Sequence, residues 1–383
     1  MKKRNIWKTA LALATCAALM LSMTACGSSD DSGDDGGSSS SGDGTDSYLI
    51  GYNLWGAGIA VFEQMTVEIG YSVETLGGTT SAASDDFTAD NELTNIKNFV
   101  SAGVDGILMQ AAASSSLAEA MSACDSAGIP LALGIFPGTT EDREAIDSEY
   151  YVGAGYADLV ADGYNAGEEA IEAGYTTAVI IGGNLGDPNN DDRVEGFTEA
   201  FEAGGGTILD TARCTSPSEA VEKANALLSA NRDVDVIYCI TSDYAPGTVT
   251  AMESLSLDIP IYASSLSEEV LDYVRSGQIV RTSYGNDLGQ GFAIALLYNY
   301  LDGHQILDDD GNAPDLAMVP FRVDADNLDA VIELFFTDGT HPFSEKMLQQ
   351  LTWRNNESVT YQDFEDMIES IEEDAVTYLA SMQ

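Results

Sequence analysis

The chain has 383 residues, of which 44% are hydrophobic, so it is long enough and apolar enough for two lobes with packed cores. Its 63 Asp and Glu residues against 15 Lys and Arg give a formal net charge of −48. Such an acidic surface repels phosphates and offers no basic stripe, which excludes nucleic acid as a partner.

The first residues have the pattern of a secretory signal. Lys2, Lys3 and Arg4 precede an apolar run, residues 10–23, that is too short to span a bilayer as a mature helix. The next residues, Met-Thr-Ala-Cys at 23–26, resemble a bacterial lipobox with Met in place of the more typical Leu. We therefore predict a signal peptide over 1–25 and a lipid-bearing Cys26, which anchors the protein to the cell membrane on its outer side. Ordinary signal cleavage beside an incidental cysteine is the alternative.

Residues 27–46 consist only of Gly, Ser, Asp and Thr. A segment of this composition buries no apolar surface, so we predict a flexible acidic tether over 26–46. No later segment is apolar enough to cross a membrane.

Three landmarks of the remaining chain recur at a spacing of 130 residues. The strand pattern at 49–51 recurs at 179–181, Val-Asp-Gly-Ile at 104–107 recurs as Val-Asp-Val-Ile at 234–237, and Ile-Pro at 129–130 recurs at 259–260. This repeat predicts an α/β fold of two doubly wound parallel-sheet lobes, each with strand order 2-1-3, and a cleft between them.

Three crossings between the lobes are expected, near residues 150–155, 284–287 and 318–323, which form a multi-strand hinge. The predicted first lobe is 47–154 plus 285–316, and the predicted second lobe is 155–284 plus 317–383. The second lobe includes a C-terminal helical extension, which is expected to pack on that lobe, with a partner-binding helix as the alternative. After Thr360 one helix carries an apolar stripe of Phe364, Met367, Ile368, Ile371, Ala375, Tyr378 and Leu379.

The segment 178–197 is the leading candidate for a ligand site. It reads as a strand, a polar loop and a helix that begins around Asp192 with Arg193 in its first turn. Ligands of open α/β sheets bind at the carboxyl ends of the strands, and a guanidinium group there can hold hydroxyls or a carboxylate. The alternative is an exposed Arg193 that pairs with Asp191, Asp192 or Glu195.

Other strand ends supply further candidate ligand-binding residues. Trp55 beside Asn53 would offer an aromatic surface and a polar group, which suits a sugar ring, although lobe packing is an equal alternative for Trp55. The remaining candidates at strand ends are Gln110, Phe136, Ser242, Asp243, Ser264 and Tyr284.

The cysteines, the histidines and the absence of known catalytic motifs argue against an enzyme and against a metal site. Three cysteines remain after Cys16 and Cys26, and we predict them to be buried thiols rather than a disulfide. The acidic loops at 187–192 and 308–312 lack the Gly and Glu positions of an EF-hand and are expected to be solvated turns. The chain has no P-loop, and its two histidines lie in predicted turns, so no catalytic residue, cofactor or metal is predicted.

Five motifs occur in a characteristic order and spacing, namely Val104–Leu108, Ala127–Pro130, Arg193-x-x-Gly196-Phe197, Ile240–Asp243 and Asn286–Gly289. Through these motifs the chain, from about 48 to 323, resembles the type I periplasmic sugar-binding proteins that serve ABC importers. It implies that Arg193 binds ligand hydroxyls. Ser242 stands where the family usually has Asn, Ser264 where it has Asp, and Ile135-Phe136 where it often has Asp-Arg. The implied cleft is therefore less charged and suits a less polar sugar, a nucleoside or another small metabolite.

The resemblance also implies partners. They are a small sugar-like ligand, an ABC permease with its ATPase, and the membrane through the lipid anchor, with the binding protein itself a monomer. A binding protein that presents its ligand to a sensor kinase or chemoreceptor is the alternative.

Overall fold

A computed structural model describes residues 47–57, 60–337 and 339–383. The predicted signal peptide, Cys26 and the acidic tether lie outside these residues. Within them, no helix has both the length and the apolar content required to cross a membrane.

Strands and helices alternate through most of the described chain. The strands are β1 (Leu49–Leu54), β2 (Thr79–Ser84), β3 (Gly106–Met109), β4 (Leu131–Ile135), β5 (Tyr151–Ala157), β6 (Thr177–Gly182), β7 (Thr207–Arg213), β8 (Val236–Cys239), β9 (Ile261–Ala263), β10 (Ile279–Tyr284), β11 (Asp315–Met318) and β12 (Phe321–Val323). The α-helices are α1 (Ala60–Thr75), α2 (Ala89–Ala102), α3 (Ser114–Ala127), α4 (Thr140–Glu144), α5 (Leu159–Glu172), α6 (Pro188–Ala203), α7 (Ala220–Ala230), α8 (Ala245–Leu255), α9 (Leu271–Ser276), α10 (Gly289–Leu301), α11 (Leu328–Phe335), α12 (Glu345–Leu351) and α13 (Tyr361–Ser381).

These strands form two six-stranded sheets. The first has the order β11-β5-β4-β3-β1-β2 and is parallel throughout. The second has the order β12-β10-β9-β8-β6-β7 and is parallel except for β12, which pairs antiparallel with β10. The predicted fold class of two doubly wound lobes is confirmed, and so is the 2-1-3 order, which appears as β2-β1-β3 and β7-β6-β8.

Sequence motifs around the strands have local structural causes. In β6, Val179, Ile180 and Ile181 are fully buried, as expected for a parallel strand covered on both faces. Gly103 and Gly128 end α2 and α3 in the left-handed conformation, which Gly adopts at little cost. The Ala-Gly-Val and Ala-Gly-Ile motifs are therefore helix ends that redirect the chain into β3 and β4.

The chain passes between the two sheets three times. It leaves the first sheet after β5 for α5, returns after β10 for α10, and passes from β11 directly to β12. Helix α10 is apolar and almost wholly buried, and it packs on β3, β4 and β5. The three crossings lie beside one another because β5 and β11 pair in the first sheet while β10 and β12 pair in the second.

The C-terminal extension lies differently from our expectation that it packs on the second lobe. Helix α11 contacts α9 of the second lobe, but α12 packs on α1 and α10 of the first. Arg354 binds Asp302 and Asn299 binds the backbone of Leu351 and Trp353, which fixes the extension to the end of α10. The apolar stripe identified the buried face of α13 but could not specify which lobe covers it.

Cysteine placement agrees with the sequence. Cys124, Cys214 and Cys239 are buried and unbridged, so their prediction as buried thiols is confirmed.

Candidate functional site

A cavity of about 1000 Å³ lies between the two lobes at the carboxyl ends of their strands. Segments that follow β1, β3 and β4 form its first-lobe side, and the start of α5, the loop after β6 and the start of α6 form the other side. Its lining residues are Trp55, Phe87, Ala111–Ala113, Ile135–Thr140, Arg143, Tyr156–Val160, Asn184, Gly186–Asn189 and Asp192.

The first-lobe wall of the cavity is an aromatic cluster. The rings of Trp55 and Phe136 stack at 4.0 Å between centroids with an interplanar angle of 10°. Phe62 and Phe87 pack against Trp55 at 6.4 and 6.1 Å, and Phe87 remains 54% exposed. Trp55 Nε1 is buried and has no hydrogen-bond partner among the described residues. This wall therefore presents an aromatic, apolar surface to the cavity, and the Trp55 donor is buried.

The cation on this wall is already neutralised. Arg143 donates from Nε and Nη2 to the two carboxylate oxygens of Asp315 at 2.8 and 2.9 Å, and Nη2 also donates to the Tyr156 hydroxyl. Its guanidinium lies 4.5 Å from the centroid of the Tyr156 ring. A bidentate pair of this kind holds the Arg143 charge in place and leaves little of it for an anionic ligand.

The second-lobe wall is acidic. Asp158 caps α5 and Asp187 caps α6, each through its carboxylate. Asp192 lines the cavity, and its carboxylate makes no hydrogen bond or ion pair with the described residues. Burial raises the pKa of Asp192 to about 6, and the carboxylates of Glu195, Asp158 and Asp191 add to the effect while Arg193 opposes it.

Arg193 lies just behind this acidic wall. Helix α6 begins at Pro188 rather than near Asp192, because Asp187 caps it and proline suits the first helical position. Arg193 is therefore in the second turn and is 95% buried. Its Nε donates to Asp162 at 3.0 Å and its Nη1 to the Asn189 carbonyl at 3.4 Å, whereas Nη2 has no partner among the described residues.

The expected alternative for Arg193, an exposed side chain paired with Asp191, Asp192 or Glu195, is wrong. Its partner is Asp162 of α5, which is fully buried. This partner is 31 residues away in sequence, so the local acidic residues of α6 gave no indication of it.

The Gly and Phe of the Arg-x-x-Gly-Phe motif hold Arg193 in place. A Cβ atom on Gly196 would meet the Val160 carbonyl oxygen at 2.0 Å, so α5 and α6 are in backbone contact there. Phe197 stacks on Tyr238 of β8 at 4.2 Å. The motif thus combines one side chain near the cavity with two packing residues that fix the helix carrying it.

Of the other first-lobe candidates, Phe136 and Trp55 line the cavity but Asn53 and Gln110 do not. The Asn53 amide donates to Asp85 at 2.8 Å and accepts from Asn95 at 2.9 Å, so it is engaged inside the lobe. Gln110 is buried, with Nε2 at 3.8 Å from the Met65 sulfur and Oε1 without a partner among the described residues.

The second-lobe candidates Ser242, Asp243, Ser264 and Tyr284 are not among the lining residues. Ser242 accepts a hydrogen bond from Ser265, and Ser264 shares a 2.8 Å hydrogen bond with Tyr238. Burial and the carboxylate of Glu269 raise the pKa of Asp243, and the charge of Arg193 opposes this effect.

Tyr284, the last of these candidates, packs edge-to-face on Phe335 at 4.8 Å, close to the hinge. Its ring therefore belongs to the aromatic contacts at the start of the C-terminal extension.

Sequence reasoning missed many of the lining residues. They include Phe87, Ala111–Ala113, Arg143, Tyr156 and Asp192. The sequence shows the acidic run around Asp192, but its composition predicts a solvated turn. Phe87 reaches the cavity through a left-handed backbone with φ of 60°, which the sequence does not indicate. Among the described residues, no group of His, Cys, Asp and Glu is arranged to hold a metal ion.

Comparisons with known proteins agree with this architecture. Residues 50–305 match a family model described as a periplasmic binding protein domain. No curated protein matches the chain.

Solved structures of similar fold are numerous. An ABC transporter solute-binding protein of Actinobacillus succinogenes with bound D-allose is 18% identical at a TM-score of 0.65, over 74% of this chain and 99% of that one. A periplasmic ribose ABC transporter protein of Conexibacter woesei is 19% identical with a TM-score of 0.64, and the match covers 75% of this chain and 95% of that one. A Caulobacter myo-inositol binding protein is 17% identical with a TM-score of 0.63, and the match covers 74% of this chain and 95% of that one.

The matched segment contains most of both lobes and all the strands that border the cavity. The family consists of solute-binding rather than catalytic proteins. On this evidence the chain belongs to the periplasmic binding protein family.

Proposed function

We propose that the protein captures a sugar or sugar-like small molecule in the cavity between its lobes and delivers it to an ABC importer. One observation carries this proposal. A cavity of about 1000 Å³ has an aromatic wall, formed by Trp55 and Phe136, on one side and an acidic polar wall on the other. A sugar ring has an apolar C–H face and a rim of hydroxyl donors, and it matches both walls.

The charges of the cavity narrow the ligand chemistry. Asp158, Asp187 and Asp192 face it from the second lobe, and the Arg143 charge is held by Asp315. Carboxylates accept hydrogen bonds and do not donate them when ionised, so they favour a ligand with hydroxyl or amine donors. A phosphorylated or carboxylated sugar would meet uncompensated negative charge and should bind poorly.

Arg193 is the proposed ligand contact from α6. Its Nη2 has no partner among the described residues, and Asn189, whose carbonyl accepts from Nη1, itself lines the cavity. We also propose the wider set of ligand-binding residues expected from the sequence, which lie at or just after strand ends. They are Asn53, Trp55, Gln110, Phe136, Arg193, Ser242, Asp243, Ser264 and Tyr284. Residues of this set that do not line the cavity would reach the ligand only when the lobes approach.

Lobe closure follows from ligand contact with both walls. A ligand that touches more protein in the closed state than in the open state shifts the equilibrium toward closure. A shift from 1:99 to 99:1 needs about 5.5 kcal/mol of preference. A few hydrogen bonds to charged groups, at about 1.5–3 kcal/mol each, together with aromatic contact can supply it.

Relatives of similar fold support the delivery role, since two of those above are named as ABC transporter components. We further propose that the protein acts outside the cytoplasm, anchored to the membrane by a lipid on Cys26. The lipobox-like sequence before Cys26 and the Gly/Ser/Asp tether after it support this placement.

A thermal-shift screen over neutral sugars, polyols, amino sugars and nucleosides, followed by native mass spectrometry, tests the ligand class. A ligand at 100 times its Kd stabilises the folded protein by about 2.7 kcal/mol, which is readily measured. Stabilisation by neutral sugars but not by their phosphates is expected. Stabilisation confined to nucleosides, or to sugar phosphates, would overturn the proposed class.

Arg193→Ala tests the site once a ligand is identified. We expect the variant to lose stability, because buried Asp162 loses its 3.0 Å partner, so circular dichroism first checks that it is folded. The folded variant should lose ligand-induced closure, with a fall in affinity of tenfold or more. Arg213→Ala is the control, since Arg213 also pairs with an aspartate of the second lobe, Asp191, but belongs to the edge strand β7. Unchanged affinity by calorimetry would reject the role of Arg193.

A further inference from the structure

The C-terminal extension, residues 328–337 and 339–383, is attached to both lobes, beyond the three chain crossings of the hinge. Its first helix, α11, follows β12 and belongs to the second lobe. Phe335 of α11 packs on Tyr284 at 4.8 Å and on Phe321 at 5.7 Å, and both of these residues lie on strands of the second sheet. This end of the extension therefore moves with the second lobe.

The next part is fixed to the first lobe. The His341 ring stacks on Tyr71 of α1 at 3.5 Å, and its Nδ1 lies 2.9 Å from Glu68. Phe343 packs edge-to-face on Phe292 of α10 at 5.0 Å, over a position where Gly291 leaves room for its ring.

Attachment to α10 continues after α12. The Asn299 amide, fully buried, donates to the Leu351 carbonyl at 2.7 Å and accepts from the Trp353 N–H at 2.6 Å. Arg354 pairs with Asp302 at 2.6 Å, and both side chains are mostly buried. A buried amide with both bonds made to one segment holds that segment firmly, because its release would leave polar groups unpaired.

Helix α13 then returns across the hinge. Phe364, near its start, packs on Phe292 of the first lobe at 6.4 Å. Glu372 accepts a 2.8 Å hydrogen bond from the backbone N–H of Val319, which lies between β11 and β12 at the third crossing. The helix also packs on α11. One helix thus contacts the first lobe, the crossing and the second lobe.

The helix is interrupted where it passes this crossing. Asp374 has φ of −157° and ψ of 80°, which is not helical, and its carboxylate accepts from the Thr377 N–H as a new cap. This break lies two residues after Glu372. Breaks in long helices have local causes, and here the second half of α13 restarts at the level of the hinge.

We propose that the C-terminal extension is a strap across the hinge that limits how far the two lobes separate, with Asp374 as its point of bending. A hinge made of three strands rotates at low cost, whereas separation of lobes that share the strap must break its contacts with α11, with α10 or with Val319 at the third crossing. The inference concerns the ligand-free protein and does not depend on what the cavity binds. Its test is therefore independent of the proposed function.

Distances between spin labels measure lobe separation directly. Labels on Lys97→Cys in α2 and Glu222→Cys in α7, both exposed, report the two lobes in a background where Cys16 and Cys26 are Ser. The native thiols at 124, 214 and 239 are buried and should not react. All measurements are made without ligand.

Two variants loosen the strap. Removal of residues 375–383 deletes the part of α13 after the break, and Glu372→Ala removes only the bond to Val319. We expect both to broaden the distance distribution toward larger separations, by about two- to tenfold in the ratio of open to closed for the single bond. Glu369→Ala, an exposed acid one turn earlier with no bond to the crossing, is the matched control.

A broader distribution in either variant, relative to Glu369→Ala, supports the strap. A distribution like that of Glu369→Ala in both variants overturns it. If the shortened chain does not fold, Glu372→Ala alone decides, and an unchanged distribution in it overturns the proposal.

Discussion

Arg193 lies in a network of charges that is almost closed to water. Fully buried Asp162 accepts from Arg193 at 3.0 Å and lies 3.8 Å from Arg281, which in turn is 3.3 Å from Glu169. Two cations therefore share one buried carboxylate at the base of the second-lobe wall. Such a group contributes little net stability when its pairs are intact but is costly to break, because the remaining charges stay buried.

Asp162→Asn should therefore be strongly destabilising. It leaves two buried guanidinium groups with less compensation, and the expected loss in free energy of unfolding is about 3–5 kcal/mol. Chemical denaturation measures it. Asp329→Asn is the control, because Asp329 is 94% exposed in its pair with Arg275 and should change stability by less than about 1 kcal/mol. Similar small losses in the two variants would contradict the structural role of Asp162.

Asp192 gives a second prediction, on pH. Its pKa of about 6 in the folded protein exceeds the value of about 3.9 for an unfolded chain, so the folded state binds more protons between these values. Stability from this group therefore falls as pH rises from about 4 to 6. Because Asp192 is only partly buried, solvent screening reduces the penalty, and Asp192→Asn should stabilise the protein by about 1–2 kcal/mol at pH 7 and by almost nothing at pH 4.

Denaturation of the Asp192→Asn protein at the two pH values, beside Asp233→Asn as an exposed control, measures this difference. A gain that is equal at pH 4 and pH 7 would show that burial of a charged carboxylate is not its cause.

Position after a strand was an incomplete guide to the cavity, because it does not give the direction of a side chain. Trp55 and Phe136 follow β1 and β4 and line the cavity as expected. Asn53 also ends a strand, yet Asp85 and Asn95 hold its amide inside the lobe. Those partners come from other elements, so periodicity and strand position within one segment could not reveal them.

At the scale of elements, the crossing of α5 and α6 determines where the second-lobe wall lies. A Cβ on Gly163 would meet the Arg193 carbonyl oxygen at 2.2 Å, and one on Gly196 would meet that of Val160 at 2.0 Å. Neither backbone can yield without moving its helix. The two helices thus approach at glycines, and this contact places Asp192 and Arg193 beside the cavity.

Gly196→Ala is predicted to force these helices apart. We expect a loss of about 1–3 kcal/mol or more in stability, since overpacking against backbone is not relieved by a rotamer change. Ligand affinity should fall with it, because α6 carries the wall. Gly70→Ala in α1 is the matched control: a Cβ there meets nothing within 4 Å, and alanine should stabilise the helix by about 0.5–1 kcal/mol. Equal stability of the two variants would refute the close crossing.

Helix boundaries show how local signals compete. The segment Asp-Pro-Asn-Asn at 187–190 has a composition typical of loops, which led to an expected helix start near Asp192. The structure begins α6 at Pro188, with Asp187 as cap. The same residues that favour turns also favour helix starts, and only the packing of α6 on α5 selects between the two.

For the whole molecule, the repeat at 130 residues was sufficient to predict the two-lobed architecture. Strands β3 and β8 begin at 106 and 236, and β4 and β9 at 131 and 261, so each pair keeps that spacing. Parallel order and right-handed crossover limit how such units can fold, which is why the two-sheet plan followed from sequence. The path of the C-terminal extension did not, because it is fixed by contacts such as those of Asn299 and Arg354 with distant residues.

The excess of acidic residues leads to a prediction about the molecule as a whole. With 63 carboxylates and 15 Lys and Arg, the folded state concentrates negative charge and is destabilised by self-repulsion. Salt shortens the screening length from about 30 Å at 0.01 M to about 8 Å at 0.15 M. We therefore expect Tm to rise by a few degrees over this range, since about 1 kcal/mol corresponds to about 2–4 °C for a domain of this kind.

Calorimetry in NaCl and in MgCl₂ at matched ionic strength separates screening from specific ion binding. Equal shifts in the two salts, which shrink near pH 4 where many carboxylates are protonated, are expected from screening alone. A larger rise in MgCl₂ would point to a divalent-cation site, and a constant or falling Tm would mean that other interactions outweigh repulsion among the carboxylates.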